Sequence, residues 1–239
     1  MLIKQDVLVI VPAFNEQESI SQVISDISKC GYKYVVIDDS SEDETRKRVL
    51  EVSGEVLTLP INGGVGAALR CGFKYAIQNG YKAVIQCDAD GQHPPDHFDR
   101  LLRSLNETKS DLVIGSRFES TETTMKPTML RKIAMKTLSK IASRYTGCEI
   151  SDATSGFRII SSPLLYEFAD SFPTYYLGDT FEALVVAGSA GYKVTQIPTP
   201  IAPRMSGEST SSTSESIVQI AKVLLVTLFG LHFRIARAN

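Results

Sequence analysis

The chain has 239 residues, of which 43% are hydrophobic and 22% charged, and its formal net charge is -2. That mixture supports a sizeable core in one large domain, or a domain with an appendage, and removes any global electrostatic pull toward nucleic acid. Four widely spaced cysteines, Cys30, Cys71, Cys87 and Cys148, form no CxxC pair, which argues against a disulfide framework or zinc site and for a reducing compartment.

In chain order, the apolar run at 7–11 is too short for a signal peptide and leads straight into Pro12-Ala13-Phe14-Asn15-Glu16. It reads as a buried first strand of a cytoplasmic protein. Further strands are predicted at 33–37, 56–59, 83–87 and 112–115, with helical spacing of apolar residues at 16–29, 42–52, 66–79 and 95–106. This alternation predicts an α/β fold: a mostly parallel, Rossmann-like sheet covered by helices on both faces, with ligands at the carboxyl ends of the strands. Beyond it come a long amphipathic helix at 126–145, a polar turn at 151–158, a helix at 178–188 and a strand at 193–201. A Ser/Thr-rich stretch at 206–216 precedes an apolar segment at 217–233, which falls short of the roughly 20 apolar residues that span a bilayer. The expectation is a catalytic domain over 1–212 and a C-terminal accessory amphipathic helix within 213–239.

The strongest chemical signal is Asp88-Ala89-Asp90-Gly91-Gln92-His93-Pro94-Pro95, just after the fourth strand. Two carboxylates one residue apart repel each other unless a cation lies between them. Mg²⁺ or Mn²⁺ takes oxygen ligands and commonly joins one or two carboxylates to substrate phosphates, and Gln92 could add a carbonyl oxygen. Alone, the same residues would also make an ordinary Asp-Gly turn. The second signal is Ile37-Asp38-Asp39-Ser40-Ser41-Glu42-Asp43-Glu44-Thr45. Ser40 or Ser41 is a candidate helix N-cap, with Glu44 completing a capping box. Capping leaves the adjacent aspartates unexplained, and acceptors at a strand end suit a uracil or guanine N–H and ribose hydroxyls. Asn15 is a candidate cap at the first corner. The run Asn62-Gly63-Gly64-Val65-Gly66-Ala67-Ala68 meets neither the dinucleotide nor the P-loop pattern; it reads as a turn that packs a helix closely on the sheet.

Together with Gly115-Ser116-Arg117-Phe118, Asp152–Arg158 and Pro203-Arg204-Met205-Ser206-Gly207-Glu208-Ser209, these clusters resemble, in order and spacing, family 2 glycosyltransferases of the GT-A fold. The resemblance is to the branch holding dolichol- and polyprenyl-phosphate sugar transferases, and it covers about residues 6–210. It implies inverting transfer of a sugar from a UDP- or GDP-sugar to a membrane lipid, with polyprenyl phosphate the first choice. It also implies that Pro12, Phe14, Glu16, Ile37 and Asp39 cradle the nucleoside and that Asp88, Ala89 and Asp90 complete the nucleotide-sugar site. Asp88, Asp90 and Gln92 would hold Mg²⁺ or Mn²⁺. Arg117, Arg131 and Arg204 would face donor and acceptor phosphates, for which guanidinium groups are suited, while Arg158 reads as structural.

Many hydroxyl-directed members carry an Asp after a Glu near the helix at 178–188; here the residues are Thr180-Phe181-Glu182-Ala183. A hydroxyl acceptor needs a base and an anionic phosphate does not, which favours the phosphate. Asp152, Asp179 or Glu182 could still act as a base, with Asp152 the first choice if one is required, so the expected catalytic set is Asp90, Arg117, Arg131 and Asp152. The alternatives are a transferase that elongates a lipid-linked saccharide or cell-wall glycan at a hydroxyl, and a nucleotide-sugar-binding protein without turnover.

From 124 to 148 there are six basic residues and no acidic one. Lys132, Lys136, Lys140 and Arg144 recur every four residues, opposite a stripe of Leu130, Ala134, Ile141 and Tyr145. Such a helix suits peripheral docking on the inner face of a membrane. The segment at 217–233 would lie in that interface, pack on the catalytic domain, or meet a membrane-embedded partner subunit.

Overall fold

The computed structural model describes residues 1–116, 129–172 and 179–200. Arg117, Arg204 and the expected accessory segment 213–239 lie outside these residues, as does the side chain of Arg131. The elements are β1 (Val7–Ala13), α1 (Ile20–Lys29), β2 (Lys33–Asp38), α2 (Thr45–Glu51), β3 (Val56–Thr58), α3 (Val65–Gln78), β4 (Ala83–Gln86), α4 (Phe98–Thr108), β5 (Leu112–Ser116), α5 (Met129–Thr146), β6 (Arg158–Ser161), α6 (Leu164–Ser171), α7 (Asp179–Ser189) and β7 (Val194–Pro198).

The seven strands form one sheet in the order β3-β2-β1-β4-β6-β5-β7. Only β6 runs against its neighbours, pairing antiparallel with both β4 and β5. β1 is buried along its whole length, as an apolar run covered on both faces must be. Alternate residues divide between two cores. Leu8, Ile10, Val35, Val84, Ile114 and Ile160 pack beneath α3, α5, α6 and α7. Val7, Val9, Val36, Ile85, Val113 and Ile159 pack beneath α1, α2 and α4. The expected α/β sheet with helices on both faces is therefore present. Gly72 sets how closely α3 approaches β1, since a Cβ there would lie 2.5 Å from Ile10 Cγ2.

Three local expectations are corrected. The first helix begins at Ile20 rather than at residue 16, because the amides of residues 15–17 bond instead to the loop before α2 and its first residue. Neither Ser40, Ser41 nor Asn15 caps a helix. Asp43 Oδ1 accepts the Thr45 N–H at 2.8 Å, Ser41 Oγ accepts the Asn15 N–H at 3.0 Å, and Asn15 Oδ1 accepts the Glu42 N–H at 2.9 Å. Among the described side chains of α5, Leu138 and Ala142 are buried and Ile141 of the expected stripe packs on the core, whereas Tyr145 of that stripe is 38% exposed; the side chains of Leu130, Lys132 and Ala134 lie outside those described. Lys136, Lys140 and Arg144 are exposed as expected, with Ile133 exposed among them. Among the described residues no helix is long and apolar enough to cross a membrane.

Candidate active site

The sheet order sets the carboxyl ends of β2, β1 and β4 side by side. Pro12 is level with Ile37, and Ala13 with Asp38; Ile10 is level with Gln86, two residues before Asp88. The loops after β1 and β2 are joined by three further bonds: Glu16 N–H to Thr45 Oγ1 at 2.7 Å, Gln17 N–H to Asp43 Oδ2 at 3.1 Å and Glu44 N–H to Gln17 Oε1 at 3.0 Å. This zipper holds Phe14, 38% exposed, beside the Asp38–Asp39 pair.

Asp39 is 3% exposed. Its two oxygens accept the N–H groups of Gly63 and Gly64 at 2.8 and 2.7 Å. Here lies the meaning of the glycine-rich turn, which sequence reasoning took mainly as a packing device. Gly64 sits at φ 81°, a conformation natural to glycine, and this turns two consecutive amides toward one carboxylate. Each oxygen keeps a second lone pair, so Asp39 can still accept from a nucleoside.

The Asp88–Pro95 loop is built tightly. Asp90 is buried and its Oδ1 accepts the Gln92 N–H at 2.9 Å across Gly91, at φ 78°. His93 is 5% exposed and its Nδ1 accepts the Asp88 N–H at 3.0 Å. Its ring stacks on Phe157 at 4.9 Å between centroids. The Asp88 side chain is 39% exposed, and the His93 ring lies beside it, Nε2 to Oδ2 3.7 Å. A Cβ on Gly156 would stand 3.3 and 3.4 Å from the Asp88 oxygens, so the turn before β6 comes right up to this carboxylate. Burial, then the Asp88 and Asp90 charges, push the Cys87 thiol well above its usual range, which keeps it protonated and unreactive.

A divalent cation suits this donor set. Asp88 and Asp90 offer two hard carboxylates, Asp88 with oxygens facing solvent, and Gln92 is next to them in the same loop. Among the described residues no three His, Cys, Asp or Glu side chains form a complete cage. That arrangement fits an ion held by one or two carboxylates whose coordination is finished by substrate phosphates.

The turn carrying Asp152 lies between α5 and β6. Asp152 is 1% exposed and its Oδ1 accepts from the Thr154 N–H and Oγ1–H at 3.2 and 3.1 Å. Gln196, which sequence reasoning missed, clamps this turn. Its Oε1 accepts the N–H groups of Ser151 and Asp152 at 3.0 and 3.2 Å, while its Nε2 donates to Ser151 Oγ at 2.7 Å. Only a long-range pairing could reveal it, because Gln196 lies on β7. Arg158 is buried and donates from Nη2 to Ser155 O at 2.8 Å, in keeping with its structural reading. Arg131 lies early on α5. Ala183 is fully buried against the core.

Comparison with known proteins agrees with this geometry. The family model described as glycosyl transferase family 2 matches residues 8–168. Polyprenol monophosphomannose synthase of Mycolicibacterium smegmatis is 28% identical over 248 residues, covering 98% of this chain and 91% of its own. UDP-N-acetylglucosamine--dolichyl-phosphate N-acetylglucosaminyltransferase of Methanococcus voltae is 25% identical over 210 residues, covering 80% and 84%. In fold, the chain matches the crystal structure of glucosyl-3-phosphoglycerate synthase from Mycobacterium tuberculosis in complex with Mn²⁺, UDP and phosphoglyceric acid. The TM-score is 0.70 at 19% identity, over 95% of this chain and 79% of that one. With strand-end carboxylates in place, a matched family model over most of the chain and a GT-A sheet, this protein belongs to glycosyl transferase family 2 and is similar to its polyprenyl-phosphate sugar transferase branch.

Proposed function

We propose that this chain transfers a sugar from a UDP- or GDP-linked donor to a polyprenyl phosphate, with inversion at the anomeric carbon. The observation that carries the reading is the placement of Asp88 and Asp90 on the same rim of the sheet as the Asp39–Gly63–Gly64 seat, after β4 and β2 on either side of β1. Pro12, Phe14, Glu16, Ile37 and Asp39 would receive the nucleoside. Asp88, Asp90 and Gln92 would hold Mg²⁺ or Mn²⁺, which supplies positive charge against the negative charge developing on the leaving nucleoside diphosphate. Arg117, Arg131 and Arg204 are proposed to hold the donor and acceptor phosphates. The relatives named for polyprenol and dolichyl phosphate support this acceptor class. The buried Ala183 supports it too, since a phosphate oxygen attacks without a base at that position.

The acceptor sits in a membrane, so the enzyme is proposed to work peripherally on its inner, cytoplasmic face. At about 100° per residue, Ile133, Lys136, Lys140 and Arg144 fall within one narrow arc of α5, and all four are exposed. That surface suits an anionic leaflet.

The deciding experiment incubates the full chain with a panel of UDP- and GDP-sugars, Mn²⁺ and either a short polyprenyl phosphate or the matching polyprenol and saccharide acceptors. Transfer to the phosphate, with the product's anomeric configuration inverted by NMR and activity kept in Asp152→Asn, is the expected result. Transfer confined to hydroxyl acceptors and lost in Asp152→Asn would replace this reading with the hydroxyl-directed one.

A further inference from the structure

His93 has no part in the donor, metal or phosphate roles described above, yet it is 95% buried beside the most exposed carboxylate of the loop. We propose that His93 is a positioning residue for Asp88, gripping its backbone through Nδ1 and steering its carboxylate through Nε2–H. The Asp88 N–H donates to Nδ1 at 3.0 Å, so in the neutral ring the proton resides on Nε2. That N–H edge faces Asp88 Oδ2 at 3.7 Å, too long for a hydrogen bond but close enough to attract the charge. One residue is thereby held at two points by one ring, its main chain and its carboxylate both fixed.

The ring cannot turn away. It stacks on Phe157 with an interplanar angle of 23°, and Phe157 in turn packs on Phe98, 5.8 Å between centroids. The loop is also closed at its base, where Cys87 Sγ lies 3.7 Å from the His93 carbonyl. The Asp88 carboxylate also lies against Gly156, where a Cβ would stand 3.3 Å from the same Oδ2. Imidazole and glycine thus both border this carboxylate, 39% of which stays exposed. The neighbouring residues Gly156 and Phe157 thus supply both the gap and the plate, tying the metal loop to the turn that carries Asp152. A histidine that merely filled space would need the stack but neither nitrogen.

Long-range ¹⁵N–¹H correlation spectra of the full chain, free of metal and nucleotide, test the tautomer directly. The His93 ring, assigned by the signal lost in His93→Asn, should be protonated at Nε2; a ring protonated at Nδ1, or averaging between the two, overturns the proposal. The second readout is Mn²⁺ affinity by calorimetry with UDP and with GDP, and it rests on the cation reading of Asp88 and Asp90. His93→Asn keeps an acceptor near the Nδ1 position and drops the Nε2–H. It should weaken Mn²⁺ binding about tenfold, as loss of an outer-shell partner does, while the melting temperature stays near wild type. His93→Phe keeps the stack and drops both contacts, and should bind Mn²⁺ at least as poorly. Wild-type affinity in both variants overturns the steering role. If the wild type itself binds no Mn²⁺ with either nucleotide, the cation reading fails, and the tautomer alone decides the role of His93.

Discussion

The two rims of the sheet treat charge in opposite ways. Before the parallel strands, charges are answered by other elements. Lys4 pairs with Asp99 at 3.0 Å, and the Tyr32 hydroxyl donates to the same carboxylate at 2.8 Å. Lys82 pairs with Asp6 at 2.8 Å, and Asp111 accepts the Lys193 N–H at 2.8 Å. After the strands, the bonds described for the carboxylates come from N–H and hydroxyl groups: Gly63 and Gly64 for Asp39, Ser41 for Asp38, Thr45 and Gln17 for Asp43, Gln92 for Asp90. Among the described residues no lysine or arginine pairs with Asp38, Asp39, Asp43 or Asp88. An N–H donor stabilises a carboxylate without cancelling its charge. The described charges of the first rim are paired within the fold, whereas Asp38, Asp39 and Asp43 on the second are held by N–H and hydroxyl groups, an arrangement that suits the cation proposed above.

The sharpest way to break that contrast is Asp88→Asn. Its side chain is 39% exposed, so the amide should move the melting temperature by only about a degree or two. Turnover should fall on the order of a hundredfold or more, as steady-state kinetics at saturating Mn²⁺ would show. A full-rate variant would mean that this rim is no more functional than the other.

Asp39→Asn should strike both properties. An amide cannot accept at both atoms, so its NH₂ would face the N–H of Gly63 or Gly64. The cost is about 1–3 kcal/mol of stability, as for a buried donor left unmet, read by urea denaturation. Nucleotide affinity should fall as well, and a variant that lost stability alone would confine Asp39 to holding the glycine turn.

Gln196→Ala should cost about 1 kcal/mol, since the Ser151 and Asp152 amides lose a shared acceptor. Turnover should drop while nucleotide affinity holds, because the clamp holds the Ser151–Asp152 turn rather than the proposed nucleoside seat. Equal losses of both would place that turn against the donor as well.

Much of the first rim's counterpart was legible in the sequence, for a local reason. Asp39, Asp88 and Asp90 each follow a β-branched run, and a parallel sheet delivers such residues to one edge. β6 was not legible: Arg158-Ile159-Ile160-Ser161 is four residues with two apolar ones, and its pairing lies with 83–86 and 112–114. The start of α1 was missed because residues 15–17 satisfy their amides on side chains 26 to 29 residues away. His93 and Gln196 carried no signal of their own, since their meaning depends on Phe157 and on the Ser151–Asp152 amides.

The smallest expected effect tests the first rim, with Asp99→Asn. Burial raises the Asp99 pKa, but hydrogen bonds from Lys4 and Tyr32 outweigh it and leave the carboxyl below its usual 3.8. A carboxylate whose folded pKa is depressed adds stability above its unfolded pKa and loses it as pH falls through the folded value. With side-chain exposures of 39% and 52%, solvent screening keeps the Lys4–Asp99 contribution near 0.2–1 kcal/mol. Wild type should therefore be more stable than Asp99→Asn by about that amount at pH 6, and the gap should close as pH falls below the carboxylate range. High salt should narrow it as well. Transfer activity should be the same in both proteins at pH 6, because Lys4 and Tyr32 precede β1 and β2, and Asp99 on α4 is bonded to them rather than to the proposed site. A clear loss of turnover in Asp99→Asn, without unfolding, would show that the two rims are coupled through α4 and the Asp88–Pro95 loop that leads into it.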